Sequence, residues 1–117
     1  MTDKNTTDVI AKLYDVINDR RQNPAEGSYT CYLFEKGIDK ILKKVGEECS
    51  ETIIAAKNAK VSGNNDELTL EICDLLYHLL VLMNASDLPL EKITDELSER
   101  AKKTGNLKQF KTVDKNT

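Results

Sequence analysis

Apolar residues at helical spacing are the feature that most constrains this chain. Along residues 38–59 they mark one face: Ile38, Ile41, Leu42, Val45, Cys49, Thr52, Ile53 and Ala56. At about 100° per residue they fall within an arc of about 120°. Residues 7–21, 66–85 and 90–102 show similar spacing, and no strand-like alternation stands out. The sequence therefore predicts an all-α fold, a bundle of four to five helices in which residues 28–37 form a loop or a short helical piece.

The length of 117 residues fits a single domain. We expect its core to span about residues 7–103 and a polar tail to occupy residues 104–117. The aromatic side chains of residues 28–37 are expected to tuck into the core, and the last helix to turn three apolar side chains inward (Leu90, Ile93 and Leu97). Residues 75–83 are apolar nearly all round a helix, which favours a central position plus a subunit interface.

Composition excludes several classes of protein. The 17 Lys and Arg against 20 Asp and Glu give a net charge of −3, and aromatic residues make up only 5% of the chain. Nucleic-acid binders are normally basic, so we expect no nucleic-acid partner. No apolar run approaches the ~20 residues that a membrane helix needs, and the N-terminus has no secretory pattern. Three widely spaced cysteines are typical of reduced side chains, so a cytoplasmic location is expected.

Two pairs of carboxylates lie on successive predicted helices. Glu48 and Glu51 are three residues apart on one, and Glu71 and Asp74 are three apart on the next. This spacing puts each pair on one face, beside the apolar arc. If the helices pack antiparallel, four carboxylates converge and need a cation among them. Oxygen ligands without cysteine or paired histidine suit Mg²⁺ or Mn²⁺. The alternative is that such pairs simply face solvent.

Basic residues flank the acidic run. Lys40 and Lys44 precede it and Lys57 follows it, so these lysines are candidates for gripping phosphate oxygens while the carboxylates hold a metal. Lys44 can equally form a plain surface ion pair with Glu48. Arg20 can contact phosphate or stabilise the C-terminal end of its helix. His78 is the single histidine, and it either supports the site or is a hydrogen-bonded core residue.

The order of these motifs resembles a known family. Glu47-Glu48-x-x-Glu51 followed by Glu71-x-x-Asp74 is similar to the metal-binding signature of the MazG-like all-α nucleotide pyrophosphatases. The segments Ser28-Tyr29-Thr30, KILKKVGEE, Ala55-Ala56-Lys57 and DLLYHLLVLM resemble the phosphoribosyl-ATP pyrophosphatase branch of that superfamily. The likeness covers about residues 9–100, and from it we expect the free-standing form of the enzyme.

The resemblance implies a function and a set of roles. It implies Mg²⁺-dependent hydrolysis of 1-(5-phosphoribosyl)-ATP to 1-(5-phosphoribosyl)-AMP and pyrophosphate, the second step of histidine biosynthesis, by a homodimer. By motif match, the metal ligands are Glu48, Glu51, Glu71 and Asp74, and Glu47 positions the water. The implied substrate contacts are Lys40, Lys44, Lys57, Thr30 and Tyr32. His78 and Arg20 are added as candidate substrate contacts from their position in the sequence.

Two other functions are compatible with the same residues. A housecleaning pyrophosphatase of the same superfamily, acting on non-standard nucleoside triphosphates, would share the acidic site and differ in its base and ribose contacts. A non-enzymatic helical dimerisation module would use the charges only for solvation. The KILKKVGEE and DLLYH segments favour phosphoribosyl-ATP hydrolysis over both.

Overall fold

The computed structural model describes residues 3–105, and the side chains of residues 9–105. This part of the chain contains no strand and consists of five helices: α1 (Asp3–Gln22), α2 (Tyr29–Lys36), α3 (Ile38–Ser62), α4 (Asp66–Ala85) and α5 (Leu90–Gly105). The prediction of an all-α bundle is confirmed. Thr104 and Gly105 belong to α5 and not to the tail, and the rest of the predicted tail, residues 106–117, lies outside the described residues.

Residues 28–37 form a short helix because both of its ends are capped. The Ser28 side chain accepts a hydrogen bond from the backbone N–H of Cys31 at 3.2 Å, which is the usual N-cap contact. At the other end the N–H of Gly37 donates to Leu33 O at 3.0 Å. Gly37 has φ +94°, a conformation that glycine adopts without strain. The chain therefore turns within one residue and begins α3 at once.

The core is built from four of the five helices. Its fully or almost fully buried side chains come from α1, α2, α3 and α4: Ile17, Leu33, Ile41, Leu80 and Val81. Helices α3 and α4 form the main packed pair, and because only residues 63–65 join them they run antiparallel. Gly63, with φ +75°, closes α3 through a hydrogen bond from its N–H to Ala59 O at 2.8 Å. The antiparallel arrangement assumed from the sequence is therefore present.

The buried stripe of α3 does not follow the centre of its apolar arc. The stripe consists of Ile41, Glu48, Ala55 and Ala59, which is one edge of that arc and the acidic residue beside it. The other edge stays exposed within a single chain, with Leu42 at 48% and Ile53 at 65%. Sequence periodicity thus identified an apolar face, but α4 covers only part of it.

Two further expectations about burial are wrong within one chain. Leu97 of α5 is 56% exposed, and α5 has no buried residue. Tyr29 and Tyr32 lie at the surface, not in the core, at 44% and 38% exposure, whereas Phe34 packs against the core as expected. On α4 the strongly apolar stretch 75–83 contributes Leu80 and Val81 to the core, as a central position requires, and leaves Leu76 exposed; Leu70 and Ile72 before it are exposed as well.

Helix α4 is also long and apolar enough, by length and composition alone, to span a membrane. The estimate from apolar runs missed this because charged residues interrupt the run. The same properties occur in the core helices of soluble proteins. Here α4 packs along α3 and turns a histidine and an asparagine inward, so the membrane evidence is weak.

Candidate active site

Three of the predicted metal ligands meet between α3 and α4. Glu48, Glu71 and Asp74 each offer a carboxylate oxygen, and these oxygens lie within 4.8 Å of one another; we refer to these three residues as the carboxylate cluster. Thr52 fixes the helices at this level. Its Oγ1 donates to Glu48 O at 2.7 Å and lies 3.4 Å from Glu71 O on the opposite helix. The two helices are therefore pinned together beside the acidic groups.

The fourth predicted ligand lies next to the cluster. Glu51 is exposed on α3, and after burial its charge is the largest cause that raises the pKa of Glu71. Its charge also raises the pKa of Glu48. Four carboxylates thus gather at one level of the bundle, as the spacing predicted, with Glu51 on the solvent side.

Burial makes this arrangement costly for the chain alone. Glu48 is only 6% exposed, and burial, followed by the charges of Glu51 and Asp74, raises its pKa. Burial likewise raises the pKa of Glu71, with further contributions from Glu51 and Glu48. Glu48 Oε1 and Glu71 Oε1 are buried and have no hydrogen-bond partner within residues 9–105. Buried polar atoms are rarely left unpaired.

The donor set fits a hard divalent cation. The cluster offers oxygen atoms only, which suits Mg²⁺ or Mn²⁺ and not a metal that prefers sulfur or nitrogen. A cation at this place would pair the two unpartnered oxygens and offset the repulsion between the carboxylates.

Lys44 lies at the edge of the cluster and connects it to Glu47. Its Nζ is 3.1 Å from Glu47 Oε1 and 3.8 Å from Glu48 Oε2. The hydrogen bond between Lys44 and Glu47 raises the pKa of the lysine and lowers that of the glutamate. Glu47 therefore stays charged beside the cluster, although its side chain is not one of the three that converge.

Helix α2 is joined to α4 beside the same cluster. The hydroxyl of Tyr29 lies 2.9 Å from His78 Nε2, and Thr30 Oγ1 is hydrogen-bonded to the Tyr77 hydroxyl. His78 is 5% exposed, and its Nδ1 lies 2.7 Å from Asp74 O. Both predicted substrate residues here, Thr30 and His78, already have partners within the chain. Sequence reasoning missed Tyr29, and its position beside Thr30 in the Ser-Tyr-Thr motif was the available signal.

A cavity of about 930 Å³ lies on the other side of α2. It is lined by residues of α1, α2 and the loop between them, among them Arg20, Tyr29 and Tyr32. The rings of Tyr29 and Tyr32 stack with centroids 6.0 Å apart, and Lys40 Nζ lies 5.9 Å from the centroid of the Tyr32 ring. Tyr29 thus borders both the cavity and the cluster. Arg20 lines the cavity and pairs with Asp19 at 3.0 Å, away from the carboxylates.

Lys57 is not brought to this site by its own chain. It is exposed and lies nine residues beyond Glu48, which at about 100° per residue puts it on the opposite side of α3.

The fold and the geometry together define an all-α protein with a carboxylate centre between two antiparallel helices. The model of the phosphoribosyl-ATP pyrophosphohydrolase family matches residues 10–101 of this chain. A phosphoribosyl-ATP pyrophosphatase from Clostridium novyi (strain NT) is 58% identical over 101 residues, which cover 86% of this chain and 88% of that protein. Another from Clostridium acetobutylicum is 57% identical over 107 residues, 92% of each chain.

A bifunctional relative matches over part of its length. The histidine biosynthesis bifunctional protein HisIE of Caldanaerobacter subterraneus subsp. tengcongensis is 53% identical over 96 residues, 82% of this chain and 45% of that protein. The chain belongs to the phosphoribosyl-ATP pyrophosphohydrolase family. The resemblance inferred from the sequence is thereby confirmed, and the chain is an enzyme of the hydrolase class.

Proposed function

We propose that the chain hydrolyses 1-(5-phosphoribosyl)-ATP to 1-(5-phosphoribosyl)-AMP and pyrophosphate, the second step of histidine biosynthesis. The observation that carries the proposal is the convergence of Glu48, Glu71 and Asp74 within 4.8 Å in a chain that belongs to this family. Family membership favours this reaction over turnover of other nucleoside triphosphates and over a purely structural role.

The proposed cofactor is Mg²⁺, with Mn²⁺ as its substitute. Glu48, Glu51, Glu71 and Asp74 would hold it, and two unpartnered carboxylate oxygens support this assignment. When bound, a divalent cation neutralises the anhydride oxygens of a triphosphate and polarises the phosphorus that water attacks. The negative charges that repel one another within the cluster would then attract and hold the cation.

Lys44 and Glu47 are proposed to act as a pair. In the ligand-free chain Lys44 contacts Glu47 and Glu48. Phosphate oxygens entering the site would compete for the ammonium group of Lys44, and Lys40, one turn earlier on α3, would add a second positive charge. The Glu47 carboxylate, charged and next to the cluster, would then be available to orient the attacking water.

We also propose a homodimer in which the exposed apolar parts of α3 and α4 are covered by a second copy. Ile38 and Ile53 on α3 and Ile72 and Leu76 on α4 are between 41% and 65% exposed; we call these four residues the apolar face. The radius of gyration is 17.1 Å, against about 13 Å for a compact domain of this size. In such a dimer Lys57 would approach a substrate only from the other subunit.

A cytoplasmic location is proposed as well. All three cysteines, Cys31, Cys49 and Cys73, are free thiols and not paired in disulfides, which suits a reducing compartment.

The test compares substrates under one set of conditions. Purified protein with Mg²⁺ should release pyrophosphate from phosphoribosyl-ATP much faster than from dUTP or dCTP. Equal or reversed rates would support a housecleaning pyrophosphatase instead. Failure to turn over any of these nucleotides, together with failure to bind Mg²⁺ or Mn²⁺, would support a dimerisation module.

A further inference from the structure

The hydrogen bonds of His78 have a defined direction. A backbone carbonyl can only accept, so the 2.7 Å contact to Asp74 O requires the proton on Nδ1. In the neutral ring Nε2 then carries the lone pair and accepts from the Tyr29 hydroxyl at 2.9 Å. A chain of two hydrogen bonds therefore runs from α2, through a buried imidazole, to the backbone of a proposed metal ligand.

Helix α2 depends on such contacts for its position. It has only eight residues and a single buried side chain, Leu33, and short helices are stabilised by their tertiary contacts. The Tyr29–His78 bond and the neighbouring Thr30–Tyr77 bond link its first turn to successive residues of α4. The Tyr29 ring also meets the His78 ring edge-on, with centroids 5.7 Å apart.

The part of α2 held in this way faces two places that a large substrate would occupy together. Burial raises the pKa of the Tyr29 hydroxyl, and the charges of Lys44 and Glu48 also act on it; the bond to His78 places it beside the residue that contacts Asp74. With Tyr32, Tyr29 also lines the cavity of about 930 Å³. A nucleotide could place its triphosphate at the cluster and the rest of the molecule in this cavity. Such a nucleotide would bind tightly only if the position of α2 relative to α4 is fixed.

We propose that His78 is a positioning residue that, through Tyr29, fixes the cavity wall on α2 relative to the carboxylate cluster on α4. Tyr29 is then a specificity-determining residue for the part of the substrate beyond the triphosphate. This inference rests on the proposed function. It assigns His78 a role through Tyr29, and not as a ligand of the metal or of the phosphates.

Four variants separate this role from a merely structural one. Tyr29→Phe removes the donor and keeps the ring. His78→Asn keeps a donor for Asp74 O and loses the acceptor for Tyr29, whereas His78→Gln keeps an acceptor near the position of Nε2. Tyr14→Phe is the matched control, because it removes a Tyr hydroxyl bond to Leu88 O at 2.8 Å far from the site.

Kinetics with phosphoribosyl-ATP provide the main measurement. Tyr29→Phe and His78→Asn should each raise KM about five-fold, the scale of one hydrogen bond, with kcat within about two-fold. The double variant should be no worse than either single one, because both remove the same bond. His78→Gln should recover most of the KM, and Tyr14→Phe should lower stability without changing KM. Mg²⁺ affinity, measured by calorimetry, should stay within about two-fold in the Tyr29 and His78 variants.

Several results would overturn the inference: an unchanged KM in Tyr29→Phe, additive effects in the double variant, equal effects of His78→Gln and His78→Asn, or a parallel loss of Mg²⁺ affinity. A spectroscopic measurement is independent of turnover. His78 is the single histidine of the chain, so its ¹⁵N signals are unambiguous. At pH 9 they should report a protonated Nδ1, and the Nε2 signal should shift in Tyr29→Phe; a protonated Nε2 would refute the proposed bond.

An inactive wild-type protein would refute the proposed function separately. Calorimetric Kd values for phosphoribosyl-ATP would then replace KM in the same set of variants, with the same pattern expected, and a Kd unchanged by Tyr29→Phe would refute the positioning role.

Discussion

The two halves of α4 differ in how their polar groups are satisfied. In the C-terminal half, Asn84 is 3% exposed, its Nδ2 donates to Asn18 Oδ1 at 3.0 Å, and its Oδ1 accepts from Arg21. The same arginine pairs with Asp87 at 2.9 Å. In the N-terminal half, Glu71 Oε1 is buried and has no partner among the side chains that the structure describes. One half is saturated with hydrogen bonds and the other is not.

The apolar side chains show the same division. Leu80 and Val81 in the second half are 3% and 0% exposed, whereas Leu70 and Ile72 in the first half are 66% and 41% exposed. Polar groups that stabilise a fold are paired within it, whereas groups that bind a ligand or a metal stay unpaired when that ligand is absent. We infer that the C-terminal part of α4, from Leu80 to Asn84, holds the fold together. The first half carries the carboxylates of the proposed site, and His78 lies between these two groups.

Substituting a buried residue of the carboxylate cluster should have the largest effect on activity. Glu48→Gln removes one charge from the proposed metal site without changing the size of the side chain. Mg²⁺-dependent release of pyrophosphate should fall by about 100-fold or more, while the helical circular dichroism stays as in the wild type. Glu96→Gln on exposed α5, which only breaks an ion pair with Arg100, should keep full activity. Retained activity in Glu48→Gln would exclude it as a ligand, and loss of helix would make it structural.

A charge on the apolar face should separate the proposed dimer. Ile72→Lys would bury an unpaired ammonium group at the interface, and the dimer Kd should rise by about 100-fold or more. Light scattering at one fixed concentration would follow the mass. Val16→Lys, at a site on α1 that is 49% exposed and outside the apolar face, should leave the mass unchanged. A wild-type protein that is monomeric at all concentrations would refute the dimer.

The sequence predicted α4 and its acidic residues well because local pattern determines both. The apolar spacing gave residues 66–85, which are the bounds observed. The three-residue spacing of Glu71 and Asp74 puts both side chains on one face of α4. Because a short turn joins α3 and α4, the two helices pack antiparallel and this face can lie beside the acidic residues of α3. Within the part of the chain that the structure describes, Glu48, Glu71 and Asp74 meet as that reasoning requires.

Burial was predicted less well because periodicity does not say which neighbour covers a face. Leu97 and Ile53 follow the helical pattern, yet both are exposed in a single chain. Tyr29 and Tyr32 of α2 were misplaced for a related reason. Their side chains are apolar, but Tyr29 is held at the surface by a hydrogen bond to His78, a contact between residues 49 positions apart that no local spacing reveals.

A substitution in the saturated half should affect stability and not catalysis. Asn84→Ala removes the contacts to Asn18 and to the Arg21 side chain, and it should lower the free energy of unfolding by about 1–3 kcal/mol. Chemical denaturation would measure this loss. The kcat/KM per folded molecule should equal that of the wild type, because Asn84 does not touch the cluster or the cavity. A large fall in kcat/KM would show that the two halves are not separate.

The pH dependence of the metal-free protein gives the smallest effect. Burial and neighbouring carboxylates raise the pKa of Glu48 and of Glu71 above the ordinary value of 4.5. Just above pH 4.5 the folded state therefore binds more protons than the unfolded state. The stability that the folded state gains from protonated Glu48 and Glu71 is lost as the pH rises through their raised pKa values. The lowered pKa of Glu47 acts in the opposite direction, which makes a matched variant necessary.

The difference between wild type and Glu48→Gln isolates the Glu48 part of this effect. Between pH 4.5 and 8, the Tm of the metal-free wild type should fall relative to that of Glu48→Gln by about a few degrees. Excess Mg²⁺ at pH 8 should reverse the difference, because the cation binds only the folded wild-type cluster tightly. Thermal melts with EDTA and with Mg²⁺ would measure both. Parallel curves for the two proteins would mean that Glu48 carries no excess charge cost in the fold, and the carboxylate cluster would then be no less satisfied than the contacts of Asn84.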